Sequence, residues 1–433
     1  MTEYVAVIGL GYVGLPLAVS LAGAGVHVVG IDRNPAVRDA VHSRRAPFYE
    51  PGLAEALRDL PDGMLVATEA LPDSPAPSAV VICVGTPADP QTLEPDLTQL
   101  GAAADLAAAH IDDDTLVVVR STVPVGTCRD VVLPRLSRRV SAPLLAFCPE
   151  RLIQGRALSE LRSLPQIIGP LDEPSRTAAD RLHAVLTERR VHVSSLETAE
   201  MIKLAGNAHT DLIYGFGNEL AHIATALGLD AREVVRAANL DYPRPDIAPP
   251  GYVGGSCLTK DPYLLIHTSR AAGYVPPMVT AARQVNESVP RMAVERFTAR
   301  LADLTGRPVS EAKVLVCGMA YKGRPETDDV RGAASLPVAQ LLQGQVKTLA
   351  GHDFQVPAGT IRDLGYEPVT LEDGLRDADG VVLLVDHRRY REITSAMVRS
   401  LMREPRVVFD LWGVTERALA DVPGIEYVRY GRG

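Results

Sequence analysis

Residues 254–261 read Gly-Gly-Ser-Cys-Leu-Thr-Lys-Asp and set one thiol, Cys257, between a glycine pair and a Lys–Asp pair. A cysteine attacks as its thiolate, which is favoured beside a cation or at a helix N-terminus, where unpaired N–H groups point outward. Both are close in sequence. Lys260 follows by three residues, and the apolar run from Pro262 through Leu264, Leu265 and Ile266 to Ala272, stopped by Gly273, predicts a helix opening just after Asp261. Nucleophilic catalysis is one reading, and a buried, inert thiol beside a glycine turn is the other. A second group lies upstream. From Thr198 to Leu227 no proline interrupts a helical spacing of apolar residues, and Lys203, Asn207, Asp211 and Tyr214 recur every three or four positions, with Asn218 continuing the row. Either the row is a solvated stripe, or its cation and amide face an oxyanion or a sugar hydroxyl.

The elements that would position these groups begin at the N-terminus. An apolar strand, Tyr4 to Ile8, runs directly into the glycine loop Gly9-Leu10-Gly11-Tyr12-Val13-Gly14 and then into a helical stretch from Leu15 to Ala24. Gly9 permits the tight turn, Gly11 lets a pyrophosphate approach the backbone, and Gly14 lets helix and strand pack, so Tyr12 and Val13 belong to a dinucleotide loop. A second strand, Val26 to Ile31, ends in Asp32, 18 residues after Gly14, where a carboxylate accepts hydrogen bonds from a ribose. This predicts NAD; Arg33 beside Asp32 leaves NADP open. Further strands at 79–84, 115–119 and 144–148 end in Thr86, in Ser121-Thr122 and in Pro149-Glu150. Strand C-termini are where open α/β sheets bind ligands, which makes Thr86, Thr122 and Glu150 candidates to touch cofactor or substrate, with turn, cap and ion-pair roles as the alternatives.

At 433 residues the chain is long enough for two or three domains. A net charge of −9 argues against a nucleic-acid footprint, and no apolar run approaches the roughly 20 residues that span a bilayer. Met1 leads straight into a strand without a basic leader, so a cytoplasmic protein is expected. Five cysteines with no CxxC or Cys/His cluster fit reduced thiols and no metal site. A short helix is expected over 231–239, before a proline- and glycine-rich loop from Tyr242 to Gly255 that delivers Cys257. Long apolar helices of this kind favour a homodimer. Lys313 to Ala320 is a second strand-to-glycine turn, and apolar strands at 378–385 and 406–409 predict another parallel α/β unit. Lys322 and Arg331 flank the acidic loop 326–329, as phosphate ligands or as solvated surface.

Taken together, the stretches GLGYVGLP, CVGTP, STVPVGT, CPER, EMIKLAGN, GNE, GGSCLTKD and GMAYKGRPETDDVR, in this order, resemble the nucleotide-sugar 6-dehydrogenases, which oxidise UDP-glucose, GDP-mannose or UDP-N-acetylhexosamines to uronic acids. The resemblance spans nearly the whole chain. It implies an α/β fold of two Rossmann-like doubly wound domains joined by a central helical dimerisation domain with one long helix. The boundaries expected are 1–195 for the NAD domain, 196–305 for the helical domain with the cysteine loop, and 306–433 for the nucleotide-sugar domain. By resemblance Cys257 is the nucleophile that carries a thiohemiacetal and then a thioester, Lys203 the cation facing the C6 oxygen and Asn207 a donor beside it. Asp261 orders a water and shares in proton transfer, while Glu150 and Thr122 position or deprotonate the hydrolytic water, the base being left open. Arg151, Leu152, Tyr252, Gly254 and Lys322 are implied substrate contacts, Arg331 a cofactor contact, and Arg244 an arginine reaching into the partner subunit's site. Gly254 and Gly255 would leave room for a sugar diphosphate, and Lys260 would help hold the loop.

Several positions depart from the family's pattern. Gln154 stands where UDP-glucose enzymes often carry an acid, Thr259 replaces a common proline, and Ala333-Ala334 replace Ser-Pro. Leu411-Trp412-Gly413 stand where many members keep an arginine. By contrast, CPERLIQGRALSELRSLPQIIG and KDPYLL are similar to the UDP-N-acetylhexosamine branch, so a UDP-N-acetylhexosamine such as UDP-N-acetylmannosamine is the expected substrate. UDP-glucose is the alternative. A two-electron dehydrogenase, or a nucleotide-sugar-binding protein without turnover, is a further one.

Overall fold

The computed structural model describes residues 3–242 and 246–433. They form two compact units. The first comprises the chain up to Asn207 together with Tyr263–Val275; the second comprises Ala208–Pro262 and Pro276–Gly433.

The first unit is built on an eight-stranded sheet. Its strands are Tyr4–Ile8 (β1), His27–Ile31 (β2), Leu65–Thr68 (β3), Ala79–Ile82 (β4), Leu116–Val119 (β5), Leu144–Phe147 (β6), Gln166–Pro170 (β7) and Arg190–His192 (β8), in the order β3-β2-β1-β4-β5-β6-β7-β8. Every pair is parallel except β6 with β7. All residues of β1, β4 and β5 are buried, as continuous apolar runs covered on both faces require. The chain leaves β1 for β2 on one side and returns to β4 on the other. The glycine loop therefore opens at the point where strand order reverses, the crevice where such sheets bind ligands. Gly9 has φ +93°, a region open to glycine, and its N–H donates to the carbonyl of Ile31 at 2.7 Å. Helix α1 (Gly14–Gly23) follows at once.

The second unit carries a six-stranded, wholly parallel sheet. It contains Lys313–Cys317 (β9), Thr348–His352 (β10), Glu367–Pro368 (β11), Gly380–Leu383 (β12), Val407–Asp410 (β13) and Glu426–Arg429 (β14), in the order β11-β10-β9-β12-β13-β14. Strand order reverses again, between β9 and β12.

The long helix expected over 198–227 is Leu196–Ala226 (α2), and the short one is Ala231–Asn239 (α3). The helix expected after Asp261 starts on that residue, Asp261–Ala271 (α4). One long element has no counterpart in the sequence reading: Pro277–Thr305 (α5), 29 residues with Pro290 inside it. Within the second unit α2 and α5 approach closely at Gly215, where a Cβ would come 2.9 Å from that of Ala282. No helix among the described residues is long and apolar enough to cross a membrane.

Candidate active site

In the first unit the glycine loop has the shape that a dinucleotide requires. A Cβ at Gly11 would meet no protein atom within 4 Å, so the backbone there is open to a pyrophosphate, whereas one at Gly14 would press on the carbonyl of Gly9 and on Cys83. Asp32 accepts from Leu10 N at 2.8 Å and Asn34 N at 2.9 Å, which turns its carboxylate toward the loop. Arg33 is exposed, and Tyr12 stacks on Phe48 with ring centroids 4.2 Å apart. Val13 is the residue from which α1 starts. Thr86 is buried and donates to the carbonyl of Thr122 at 2.5 Å, tying the ends of β4 and β5 together. These residues fit NAD.

Beyond β6, Glu150 is buried. One of its oxygens is paired with Arg120, and the other accepts from the N–H groups of Arg151 at 2.6 Å and Leu152 at 2.9 Å. Arg120 is 1% exposed and also donates to Gln166 Oε1 at 3.3 Å, with His183 Nε2 3.4 Å away. Burial, and next the Arg120 charge, push His183 down to about 4, so its Nδ1–H donates to Ala179 O at 2.9 Å and Nε2 is left to accept. Burial pushes the Cys83 and Cys148 thiols up to about 12, with Arg120 pulling the other way. Lys203, from the first half of α2, donates its ammonium to the backbone carbonyl of Glu150. Asn207 lies half-buried one turn further on.

Two turns of chain are held here by acids the sequence reading passed over. Glu200, fully buried on α2, accepts from Gly126 N at 2.6 Å and Cys128 N at 2.8 Å and so fixes the loop that begins at Thr122. Burial raises its carboxyl above the usual range, and those N–H groups oppose the rise. Glu50 does the same for the turn after Glu150, accepting from Gly155 N at 2.7 Å and Ala157 N at 2.9 Å. The side chain of Arg151 turns to the carbonyl of Pro165 at 3.0 Å, while Leu152 packs on the core.

In the second unit Cys257 is exposed, whereas Cys128, Cys148 and Cys317 are buried and Cys83 is half-buried. Its own carbonyl accepts from Lys260 N at 3.0 Å and Asp261 N at 2.8 Å. Lys260 pairs with the buried Asp261 at 2.6 Å, so this cation is engaged by its neighbour and holds the loop. The glycines serve a closer approach than expected. A Cβ at Gly254 would lie 2.6 Å from the carbonyl of Gly332, and one at Gly255 (φ +92°) 2.9 Å from the Tyr321 ring. The room read as space for a diphosphate is thus taken by the chain's own segment 321–332. Tyr252 is half-buried beside Gly254, and burial raises its hydroxyl pKa.

The row continuing down α2 is not a solvated stripe. Asp211 and Asn218 are fully buried and face α5, where Arg283 and Asn286 are equally buried. Arg283 Nη1 donates to Asp211 Oδ1 at 2.6 Å and to the carbonyl of Leu258 at 2.7 Å. Asn286 donates to Asp211 Oδ1 at 2.8 Å and accepts from Asn218 at 2.8 Å, and Asn218 accepts from Gly251 N at 2.8 Å. Burial raises the Asp211 carboxyl, with Arg283 and Asn286 opposing. Lys322 stands 5.2 Å from the Tyr321 ring centroid, and Arg331 makes a bidentate pair with Asp329 at 2.8 and 2.7 Å. Arg244 lies outside the described residues. Among the described residues no group of three or more His, Cys, Asp or Glu could hold a metal ion.

Three family models match the chain in succession. They are the NAD binding domain of the UDP-glucose/GDP-mannose dehydrogenase family over residues 3–187, its central domain over 197–288 and its UDP binding domain over 315–417. The UDP-N-acetyl-D-mannosamine dehydrogenase of Pyrococcus horikoshii is 33% identical over 410 residues, 93% of this chain and 94% of that one. An NDP-N-acetyl-D-galactosaminuronic acid dehydrogenase of Ralstonia nicotianae is 32% identical over 428 residues, 95% and 96% of the two chains. A solved structure of UDP-D-ManNAc dehydrogenase from Pyrococcus horikoshii is similar over 100% of both chains, with a TM-score of 0.89 at 30% identity.

Proposed function

Because the chain belongs to the UDP-glucose/GDP-mannose dehydrogenase family, and is with it an NAD-dependent nucleotide-sugar dehydrogenase, we propose that its substrate is a UDP-N-acetylhexosamine, UDP-N-acetylmannosamine first. The names of two relatives, each carrying an N-acetylated hexose, support this class. The reaction is the oxidation of C6 from alcohol to carboxylate through a thioester on Cys257. The observation that carries the covalent step is that Cys257 is exposed on a loop anchored on both sides, while the other thiols are buried or half-buried.

Bound NAD, held by Gly9 to Gly14 and by Asp32, supplies the hydride acceptor for each of two successive oxidations. Lys203 and Asn207 steady the C6 oxygen as its proton leaves and the aldehyde forms. Sγ of Cys257 then adds to the aldehyde carbon, and the oxygen takes up a proton to give a thiohemiacetal. The second oxidation removes the hydrogen remaining on C6 and leaves a thioester. Water adds to that carbonyl, the C–S bond breaks, the carboxylate departs and the thiolate is restored. Asp261 orders the water and takes part in proton transfer; Thr122 and Glu150 position it. Glu150 is itself held in place by Arg120 and two backbone N–H groups, which suits it to orienting that water. Residues 1–195, 196–305 and 306–433 are read as the NAD, dimerisation and nucleotide-sugar parts of a cytoplasmic homodimer, with Arg244 acting across the interface.

The test supplies NAD with UDP-N-acetylmannosamine, UDP-N-acetylglucosamine, UDP-N-acetylgalactosamine, UDP-glucose and GDP-mannose and follows NADH and product mass. Two NADH per sugar, greatest with an N-acetylated UDP-sugar, is expected. Preference for UDP-glucose would overturn the substrate class, and undiminished acid formation by Cys257→Ser would overturn the thioester.

A further inference from the structure

The loop that carries Cys257 contains no strand or helix between Gly251 and Lys260, so its shape depends on side chains that grip its backbone. Two grips come from one buried network. At the start of the loop Gly251 N is taken by Asn218 of α2, itself held by Asn286 of α5. Directly after the cysteine the carbonyl of Leu258 is taken by Arg283 of α5, whose same nitrogen pairs with Asp211 of α2. Asp211, Asn218, Arg283 and Asn286 are all 0% exposed. Burying a guanidinium and a carboxylate gives up their hydration, and a well-packed apolar pair generally serves stability as well or better. What an apolar pair could not supply is a donor to Leu258 O. The carbonyl of Cys257 is itself held by Lys260 N and Asp261 N. Two consecutive peptide planes, those following residues 257 and 258, are thereby held, which restrains the backbone on the C-terminal side of the thiol.

We propose that Arg283 is a positioning residue for the nucleophile: by bridging Asp211 and the carbonyl of Leu258 it holds the peptide that follows Leu258, one removed from the Cys257 peptide that Lys260 N and Asp261 N hold, and so restrains the backbone that aims Sγ at the C6 aldehyde. This rests on the reading of Cys257 as the covalent nucleophile. Arg283 touches neither substrate nor cofactor in this role. The first oxidation, from alcohol to aldehyde, needs no thiol, whereas acid formation does, so loss of the bridge acts selectively on the second half of the reaction.

The experiment compares full-length wild type, Arg283→Lys and Arg283→Gln with NAD and the best UDP-sugar, in single-turnover and steady-state modes. It follows NADH per sugar, aldehyde trapped as its oxime, and melting temperature. Arg283→Lys, folded as judged by melting, is expected to keep the KM for the UDP-sugar within about twofold and to form acid at least tenfold more slowly. NADH per sugar falls from two toward one as trapped aldehyde rises, and Arg283→Gln is more severe. If Arg283→Lys does not fold, Asn218→Ala, which frees the loop's other end, is expected to give the same selective loss. Two NADH per sugar at the wild-type rate in a folded variant overturns the proposal, as does an equal fall in both oxidations. One NADH per sugar from the wild type, or none, instead removes the reading of Cys257 and this inference with it.

Discussion

Arg120 is the residue on which the first unit's polar interior turns. It compensates Glu150, reaches Gln166 and sits against a histidine that burial keeps neutral. Replacing it by Met strands a buried carboxylate, and a loss of about 3–5 kcal/mol in urea denaturation is expected. Adding Glu150→Leu to the same chain should recover much of that loss, since no charge is then left unpaired; a double variant as unstable as the single one would contradict this. His183 gives a pH dependence of definite sign. Its pKa falls from 6.5 to about 4 on folding, so below pH 6.5 the unfolded chain takes up a proton that the folded chain refuses. Stability contributed by His183 is complete above 6.5 and is lost as pH falls toward 4, about 3 kcal/mol in all. His352, also lowered to about 4 by burial, adds a second loss in the same window. Urea midpoints at pH 7.5 and 5 should therefore differ less for His183→Asn than for wild type, and equal differences would refute the assignment.

The elements divide by how local their signals are. Helix α2 was legible to within two residues because apolar positions recur without a proline, and β1 with its glycine loop was legible because each residue type there answers a local demand. Helix α5 was not, since Pro290 reads as a helix stop, although Ala282, Asn286, Val289, Ala293, Phe297 and Leu301 trace its buried face. The short strands β3, β8 and β11 carry half-exposed or polar residues, and their pairing partners decide them. The same distinction governs the site. Cys257, Lys203 and the glycines stand in recognisable local settings, but Arg120, Glu200 and Arg283 act on partners 30, 74 and 72 positions away, which no window of sequence contains. Where α2 and α5 meet, Gly215→Val would drive a branched side chain into Ala282. A loss of about 1–3 kcal/mol in the urea midpoint is expected, with reduced acid formation, because Arg283 adjoins that contact.

At the scale of the molecule, the exposed apolar residues Phe216 and Ile223 of α2 and Leu227 just past its end lie seven and four positions apart and stay uncovered in the single chain. A row of this kind is what a homodimer would bury. Light scattering should report a dimer for the wild type and a monomer for Phe216→Glu/Ile223→Glu, with activity falling alongside mass; a dimer unchanged by both acids would place the contact elsewhere.

The two units also differ from two beads on a string. The first is not finished at Asn207: it takes back Tyr263–Val275, whose Thr268 accepts from Val125 N at 3.2 Å. During synthesis, then, the N-terminal unit is complete only once Val275 has cleared the ribosome, by which time the cysteine loop has already been made. A gene cut after codon 207 separates the first unit from a segment that belongs to it. Circular permutants and split versions of this chain should tolerate breaks in surface turns of either sheet better than at the apparent midpoint.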